Sequence, residues 1–418
     1  MRLIFFLLLF TSLRHAMAQP LASAKPEDHG MATARLNKID QLVTDLVDRQ
    51  QIPGAVVLIM RNGKAVYHKA YGFRDAENKV ALRKDDIFRI ASQTKAITSL
   101  AVMMLFEEGK FLLDDPVSKY VPEFRNPKLL VNLNWADTTY TTTPAKSEIT
   151  IRQLLTHSSG IDYASIGSQE FKAIYAKAGV PSGIGTDNMV LAEKMKILAG
   201  LPLRHQPGEQ YTYGLNTDVL GYLVEVLSGL PLDQFFRTRI FQPLGMNDTY
   251  FFLPPEKHSR LVWLYQTRNG KIQKMDKPAY EGVNPQYPTL DGTYFSGGAG
   301  LSSTVEDYGK FLQLFLNKGE FNGVRLLSRK TVELMLTNQL QPPVTQQFGL
   351  GFGLETEKND HQSILSLGSF SWGGAFNTHY WADPQEKLVG MIFTNMYASP
   401  YWNIGDKFKV LTYQAITD

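Results

Sequence analysis

The first pairing in this chain that could do chemistry is Ser92-Gln93-Thr94-Lys95, and Ser92 is the only serine with a lysine three positions on. On a helix, positions i and i+3 share a face, so the hydroxyl and the amine can meet. A serine hydroxyl is a weak nucleophile until a base takes its proton, and a neutral lysine amine is such a base. A helix start beside the serine adds free backbone N–H groups and a partial positive charge. The bland alternative is an ordinary helix N-cap with a lysine one turn later. Competing devices are missing: the chain has no Gly-x-Ser-x-Gly, no His-Glu-x-x-His and no cysteine. His157, in Leu155-Thr156-His157-Ser158-Ser159-Gly160, reads as a residue that ties a loop together rather than as a catalyst.

Two further clusters carry usable groups. Pro207-Gly208-Glu209-Gln210-Tyr211-Thr212-Tyr213-Gly214-Leu215-Asn216 turns at Pro-Gly and presents tyrosines on a loop over a helix start. A phenol beside a lysine can relay protons to a leaving group. For Tyr211 the better reading is a packed aromatic corner. Ser371-Trp372-Gly373-Gly374-Ala375 sets paired glycines on a strand, where a ligand can approach the backbone closely and an N–H can complete an oxyanion hole. A bulge or bend explains the same glycines equally well.

These residues need elements to position them. Apolar residues recur at helical spacing from Thr33 to Arg49, which predicts a helix. Ala55 to Met60, then Asn62-Gly63, then Ala65 to Tyr67 predicts an antiparallel hairpin. Ser92 to Glu108, closed by Gly109, reads as a long helix, and its apolar middle calls for burial on every side. From Leu113 to about Phe295 helical patterns and turns dominate, with few strand signals; Thr217 to Leu227 is one such helix, ending at Ser228-Gly229. Ser303 and Glu306 have capping-box spacing, so a helix is expected from Ser303 to about Asn317. Strand patterns return at Phe348–Leu354, His379–Ala382 and Leu388–Thr394, before a last helix over Trp402–Gln414. Strands at both ends with helices between predict an α/β fold: one antiparallel sheet built from both termini, flanked by helices, with a helical lobe inserted between. The boundaries expected are 33–90 and 297–418 for the α/β lobe and 91–296 for the helical one. Chemistry belongs in the cleft where they meet.

Bulk composition narrows the partners. With 44% hydrophobic and 20% charged residues, 418 residues form a folded globular protein rather than a disordered one. The net charge of +3 includes no dense basic run, which argues against a nucleic-acid partner. Arg2, the apolar run from Leu3 to Leu13 and Ala16-Met17-Ala18 read as an export signal, residues 1–18, cleaved after Ala18. Residues 19–32 follow as a flexible lead-in. The expected product is soluble, periplasmic or secreted, without stable membrane insertion once the signal is removed. An uncleaved anchor is the alternative. A core of this size needs no disulfides.

Taken in order, the three clusters resemble the Ser-x-x-Lys, Tyr-x-Asn and Lys-Thr-Gly elements of the serine β-lactamase and penicillin-binding protein superfamily. The chain is most similar to its class C β-lactamase-like branch, which includes family VIII carboxylesterases. Leu113-Asp114-Asp115-Pro116-Val117, the His157 turn, Pro243-Leu244-Gly245-Met246 and Gly297-Gly298-Ala299-Gly300-Leu301 support the resemblance, which runs from about residue 33 to the C-terminus. It implies the β-lactamase/transpeptidase-like fold, Ser92 as nucleophile, Lys95 as its proton acceptor and Tyr213 as the family tyrosine. The backbone N–H groups of Ser92 and Ala375 would hold the oxyanion. Trp372, Gly373, Gly374 and Leu215 fall on substrate-binding positions. No metal or organic cofactor is implied. Two departures matter. Leu215 stands where the motif has asparagine, with Asn216 one position late, and Trp372 replaces a lysine that helps hold a substrate carboxylate. A tryptophan offers an apolar wall and one N–H but no charge, which disfavours carboxylate-bearing penicillins and favours small esters. The rival readings are a β-lactamase, D-Ala-D-Ala carboxypeptidase or D-aminopeptidase acting on lactams or amides, and a non-catalytic penicillin-binding or sensor protein.

Overall fold

The computed structural model describes residues 21–186, 188–278 and 282–418, so the export-signal segment lies outside the described residues. Helix α1 (Thr33–Asp48) leads into strands β1 (Gly54–Arg61), β2 (Lys64–Asp75) and β3 (Val80–Ala81). Asn62 and Gly63 turn the first hairpin with φ of 53° and 75°, the left-handed values a two-residue turn needs. Helices α2 (Thr94–Glu107) and α3 (Asn216–Ser228) belong to the middle of the chain. Helix α4 (Val305–Leu316), strands β4 (Gly353–Leu354), β5 (Phe370–Gly374), β6 (Thr378–Asp383) and β7 (Leu388–Phe393), and helix α5 (Ile404–Tyr413) complete the frame.

The two chain ends zip together between β1 and β7, from Val56 opposite Phe393 to Arg61 opposite Leu388. This gives one seven-stranded antiparallel sheet in the order β4-β5-β6-β7-β1-β2-β3. Side chains alternate across it with period two. Val56, Leu58, Met60, Val389, Met391 and Phe393 join the core shared with α2, α3 and α4. Ala55, Val57, Ile59, Leu388 and Ile392 join a second core against α1 and α5. Both faces are therefore covered, which explains why β1 reads as a continuous apolar run rather than an alternating one. Helix α2 is buried continuously from Thr94 to Leu105, as its composition requires. Among the described residues, no single helix is long and apolar enough to cross a membrane.

Several expectations need correction. The long helix does not begin at Ser92: Ala91–Gln93 form a 3-10 turn and α2 starts at Thr94. The cap of α4 is Thr304, whose hydroxyl accepts from the Asp307 N–H at 3.1 Å, not Ser303. The expected strand at 348–354 shrinks to two residues. Two hairpins occur within the middle segment, at Lys128–Asn134 with Thr139–Pro144, and at Tyr265–Arg268 with Lys271–Lys274. The first is largely solvated and carries little of the apolar alternation that marks a strand, whereas the second buries Tyr265 against the second core. The lead-in, expected to be flexible, is tied to the sheet from residue 21 onward. Ala24 donates its N–H to Ala65 at 3.1 Å, and Met31 is fully buried.

Gly390 sits opposite Trp381 in the β6–β7 ladder, and a Cβ there would lie 2.2 Å from the indole Cζ2. Gly390→Ala should lower the free energy of unfolding by about 1–3 kcal/mol through overpacking. Urea titrations should show a smaller loss for the same change in a Trp381→Phe background, because the clashing ring is gone. Equal losses in both backgrounds would mean that the indole does not set the constraint.

Candidate active site

Ser92 is held on a turn that the surrounding structure forces into an uncommon shape. Ala91, just before it, has φ of 42°, a left-handed value that costs a non-glycine residue energy and persists only where packing imposes it. Here Ala91 is fully buried with Ala299 and Phe376, and Ala375 packs against the same cluster. Ile90 donates its N–H to the Leu301 carbonyl at 3.1 Å, and the Gln93 carbonyl accepts from Tyr308 Oη at 2.8 Å. The end of β5 presses on this turn. A Cβ on Gly374 would lie 2.3 Å from the Ile90 carbonyl oxygen, so only glycine permits the approach. Ala375, the residue after β5, thereby packs against the cluster that holds Ala91, and Ser92 beside it is partly exposed.

Lys95 follows one turn later on the buried face of α2, with 4% of its surface exposed. Its Nζ donates to the Gly298 carbonyl at 2.7 Å. It also lies 4.7 Å from the centre of the Tyr213 ring and 5.4 Å from that of Tyr163. Tyr213 Oη donates to Ser92 Oγ at 2.8 Å. The hydroxyl, the amine and the phenol thus share one location, although Tyr213 comes from a loop 121 residues away.

That loop is tied down behind the tyrosine. The Thr212 N–H bonds the His157 carbonyl at 2.7 Å, and the Asn216 amide Nδ2 meets His157 Nδ1 at 3.1 Å. Ser159 Oγ donates to the other side of the Asn216 amide. Burial, and then the charge of Lys95, push the His157 imidazole well below its ordinary range, so it stays neutral and its Nδ1 can accept. The His157 ring packs 4.8 Å from Tyr213 and 5.8 Å from Phe348. Asn216 is therefore a fully buried tie rather than a group facing substrate.

One carboxyl at the site has no counterpart in the sequence reading. Asp218, on the first turn of α3, is 1% exposed and accepts from Ser296 Oγ at 2.6 Å through Oδ1. Its Oδ2 has no hydrogen-bond partner. A Cβ on Gly298 would sit 2.4 Å from that oxygen and 3.5 Å from Lys95 Nζ, so carboxyl and amine flank one bare glycine. Burial pushes the Asp218 carboxyl up, and the Ser296 hydroxyl and the Lys95 charge oppose this. An acid among Val219, Leu220 and Leu223 on an apolar helix was the available signal. Tyr163 and Phe348 were likewise missed, since isolated aromatics look like core.

Trp372 closes the cleft on the strand side, with its ring 5.7 Å from Tyr213 and 5.3 Å from Phe348. Gly373 follows it on β5, and β4 pairs only with Phe370 and Ser371, stopping short of the tryptophan. Leu215 corrects the expectation of a substrate contact. It has no exposed surface and packs into the main core, because its position before α3 points the side chain between helices. The arrangement brings a serine hydroxyl together with an amine and a phenol able to carry its proton, groups that acyl transfer through a serine uses.

Comparisons with known proteins identify the family. The beta-lactamase family profile matches residues 39–412. An uncharacterized protein of Mycobacterium tuberculosis is 33% identical over 362 residues, covering 83% of this chain and 86% of its own length. Esterase EstB of Burkholderia gladioli is 29% identical, covering 90% and 94%. Among solved structures, EstCE1, described as a hydrolase with promiscuous acyltransferase activity, superposes with a TM-score of 0.77 at 27% identity, covering 91% of this chain and 99% of its own. Simvastatin synthase LovD of Aspergillus terreus gives 0.78 at 26%, covering 91% and 98%. With the family profile spanning nearly the whole chain and a third of residues shared with a full-length relative, the protein belongs to the beta-lactamase family of serine hydrolases.

Proposed function

We propose that the protein is a carboxylesterase that cleaves small esters through an acyl-enzyme on Ser92. The observation that carries this is the 2.8 Å contact between Tyr213 Oη and Ser92 Oγ with Lys95 Nζ 4.7 Å from the same ring. In this reading Ser92 Oγ bonds to the ester carbonyl carbon while its proton passes to Lys95. The oxyanion is held by the N–H groups of Ser92 and Ala375. Collapse of the tetrahedral species breaks the ester C–O bond, and Tyr213 delivers the proton to the departing alkoxide. Water then attacks the acyl-serine, releases the acid and returns the proton to Ser92. Asp218 acts by position, keeping Lys95 in register with the serine through the Gly298 segment. Trp372 supports an ester rather than a carboxylate-bearing lactam, since it brings ring surface where a cation would be needed. The esterase and hydrolase among the relatives point the same way. The Arg2–Ala18 segment supports export to the periplasm or medium, with cleavage after Ala18.

Ser92→Ala should reduce p-nitrophenyl acetate hydrolysis by at least about a thousandfold while the thermal transition stays near that of the parent, because only one partly exposed hydroxyl is lost. Tyr213→Phe removes a positioned proton donor without changing the ring packing, and should lower kcat by about 10²–10⁴-fold. Stopped-assay rates and a melting curve on each purified variant test both, and full activity in Ser92→Ala would end the proposal. On a single preparation, kcat/KM for p-nitrophenyl butyrate should exceed that for nitrocefin. The reverse order would favour lactam hydrolysis.

A further inference from the structure

Tyr308 lies on the first turn of α4 and has no exposed surface, yet its hydroxyl reaches the turn that carries the nucleophile. Its Oη donates to the Gln93 carbonyl at 2.8 Å, across 215 residues of sequence. The ring is packed within the α/β lobe, its centre 5.2 Å from those of Phe311 and Tyr380 and 6.3 Å from that of Phe393. Tyr380 stands on β6 and Phe393 on β7, so the phenol passes the placement of the sheet to the backbone beside Ser92. Burial, and then the neighbouring Tyr380 phenol, push the Tyr308 phenol far above its ordinary range, so it remains a proton donor.

Gln93 is fully buried, and neither the oxygen nor the nitrogen of its side chain has a hydrogen-bond partner. Hydrogen bonds therefore hold this residue through its backbone alone. Two positions earlier, the Ala91 backbone is strained at φ 42°, and such strain persists only where the surroundings impose it. The Ile90 N–H is tied to the Leu301 carbonyl at one end of the turn, and the Gln93 carbonyl is tied to Tyr308 at the other. Between these ties each residue has two soft dihedral angles. A rotation of the Gln93–Thr94 peptide would pass to Ser92 and disturb the 2.8 Å contact of its Oγ with Tyr213 Oη.

We propose that Tyr308 is a positioning residue for acyl transfer: its hydroxyl fixes the main chain of the Ser92 turn and so sets the reactivity of a serine it does not touch. The proposal rests on Ser92 being the acylated residue. Tyr308→Phe removes one oxygen and keeps the ring among its neighbours. With p-nitrophenyl acetate this variant should show a kcat about tenfold below the parent at nearly unchanged KM. An alkyl fluorophosphonate, which bonds through phosphorus to Ser92 Oγ as fluoride leaves, should label it more slowly by about the same factor, counted per folded molecule. Phe311→Leu is the control, since it loosens the same packing and spares the hydroxyl. It should lower the melting temperature and still label at the parental rate per folded molecule. Amide hydrogen exchange supplies a readout without chemistry at the serine: exchange across residues 91–95 should quicken about tenfold in Tyr308→Phe and stay parental in Phe311→Leu. Parental labelling and exchange in Tyr308→Phe, or equal losses in both variants, overturn the positioning role. A parent protein inert toward both ester and probe, with exchange quickened in Tyr308→Phe alone, would instead remove the esterase reading and leave the tie standing.

Discussion

Lys95 keeps 4% of its surface in contact with solvent, and a polar head group removed from water is costly unless new partners replace the lost hydration. The site is arranged around that requirement. The Gly298 carbonyl takes one hydrogen bond, the faces of Tyr213 and Tyr163 supply aromatic quadrupoles, and the Asp218 carboxyl stands behind the same glycine. Each of these comes from a different part of the chain. The glycine-rich segment at 297–300 must pass between α2 and α3 for the carbonyl to reach the amine, so the packing of the two helices and the placement of the lysine are one constraint.

The serine is positioned from the opposite side. The sheet brings the end of β5 against the Ala91–Gln93 turn, and the left-handed Ala91 backbone is tolerated because that residue is locked among Ala299, Phe376 and Ala375. Strain at a nucleophile's neighbour is paired here with a rigid sheet whose two faces are both covered. A turn placed on a mobile loop would relax, and the hydroxyl would lose its fixed distance to the phenol.

The aromatic lining extends the same logic to substrate choice. His157, Tyr211, Tyr213, Phe348 and Trp372 form a continuous set of rings, with a neutral imidazole tying two loops inside it. Such a lining has fixed shape and little charge. EstCE1 shares this fold over most of its length, and fold alone leaves the substrate open, so discrimination lies in side chains.

Local chemistry was legible from the residues alone. Ser92 and Lys95 were picked out by their spacing, Asn62-Gly63 turns a hairpin because both tolerate positive φ, and the burial of α2 was expected from its composition. Composition and short-range spacing along the chain carry these signals. Tyr213 could be placed beside Ser92 only through family resemblance, and the resemblance also set Leu215 against substrate, where packing between helices buries it instead. Asp218 behind Lys95, Thr304 rather than Ser303 as the cap, and the hairpins at 128–144 and 265–274 were decided by tertiary structure. Their positions depend on which surfaces press together over many residues, and no short stretch of sequence carries that sum.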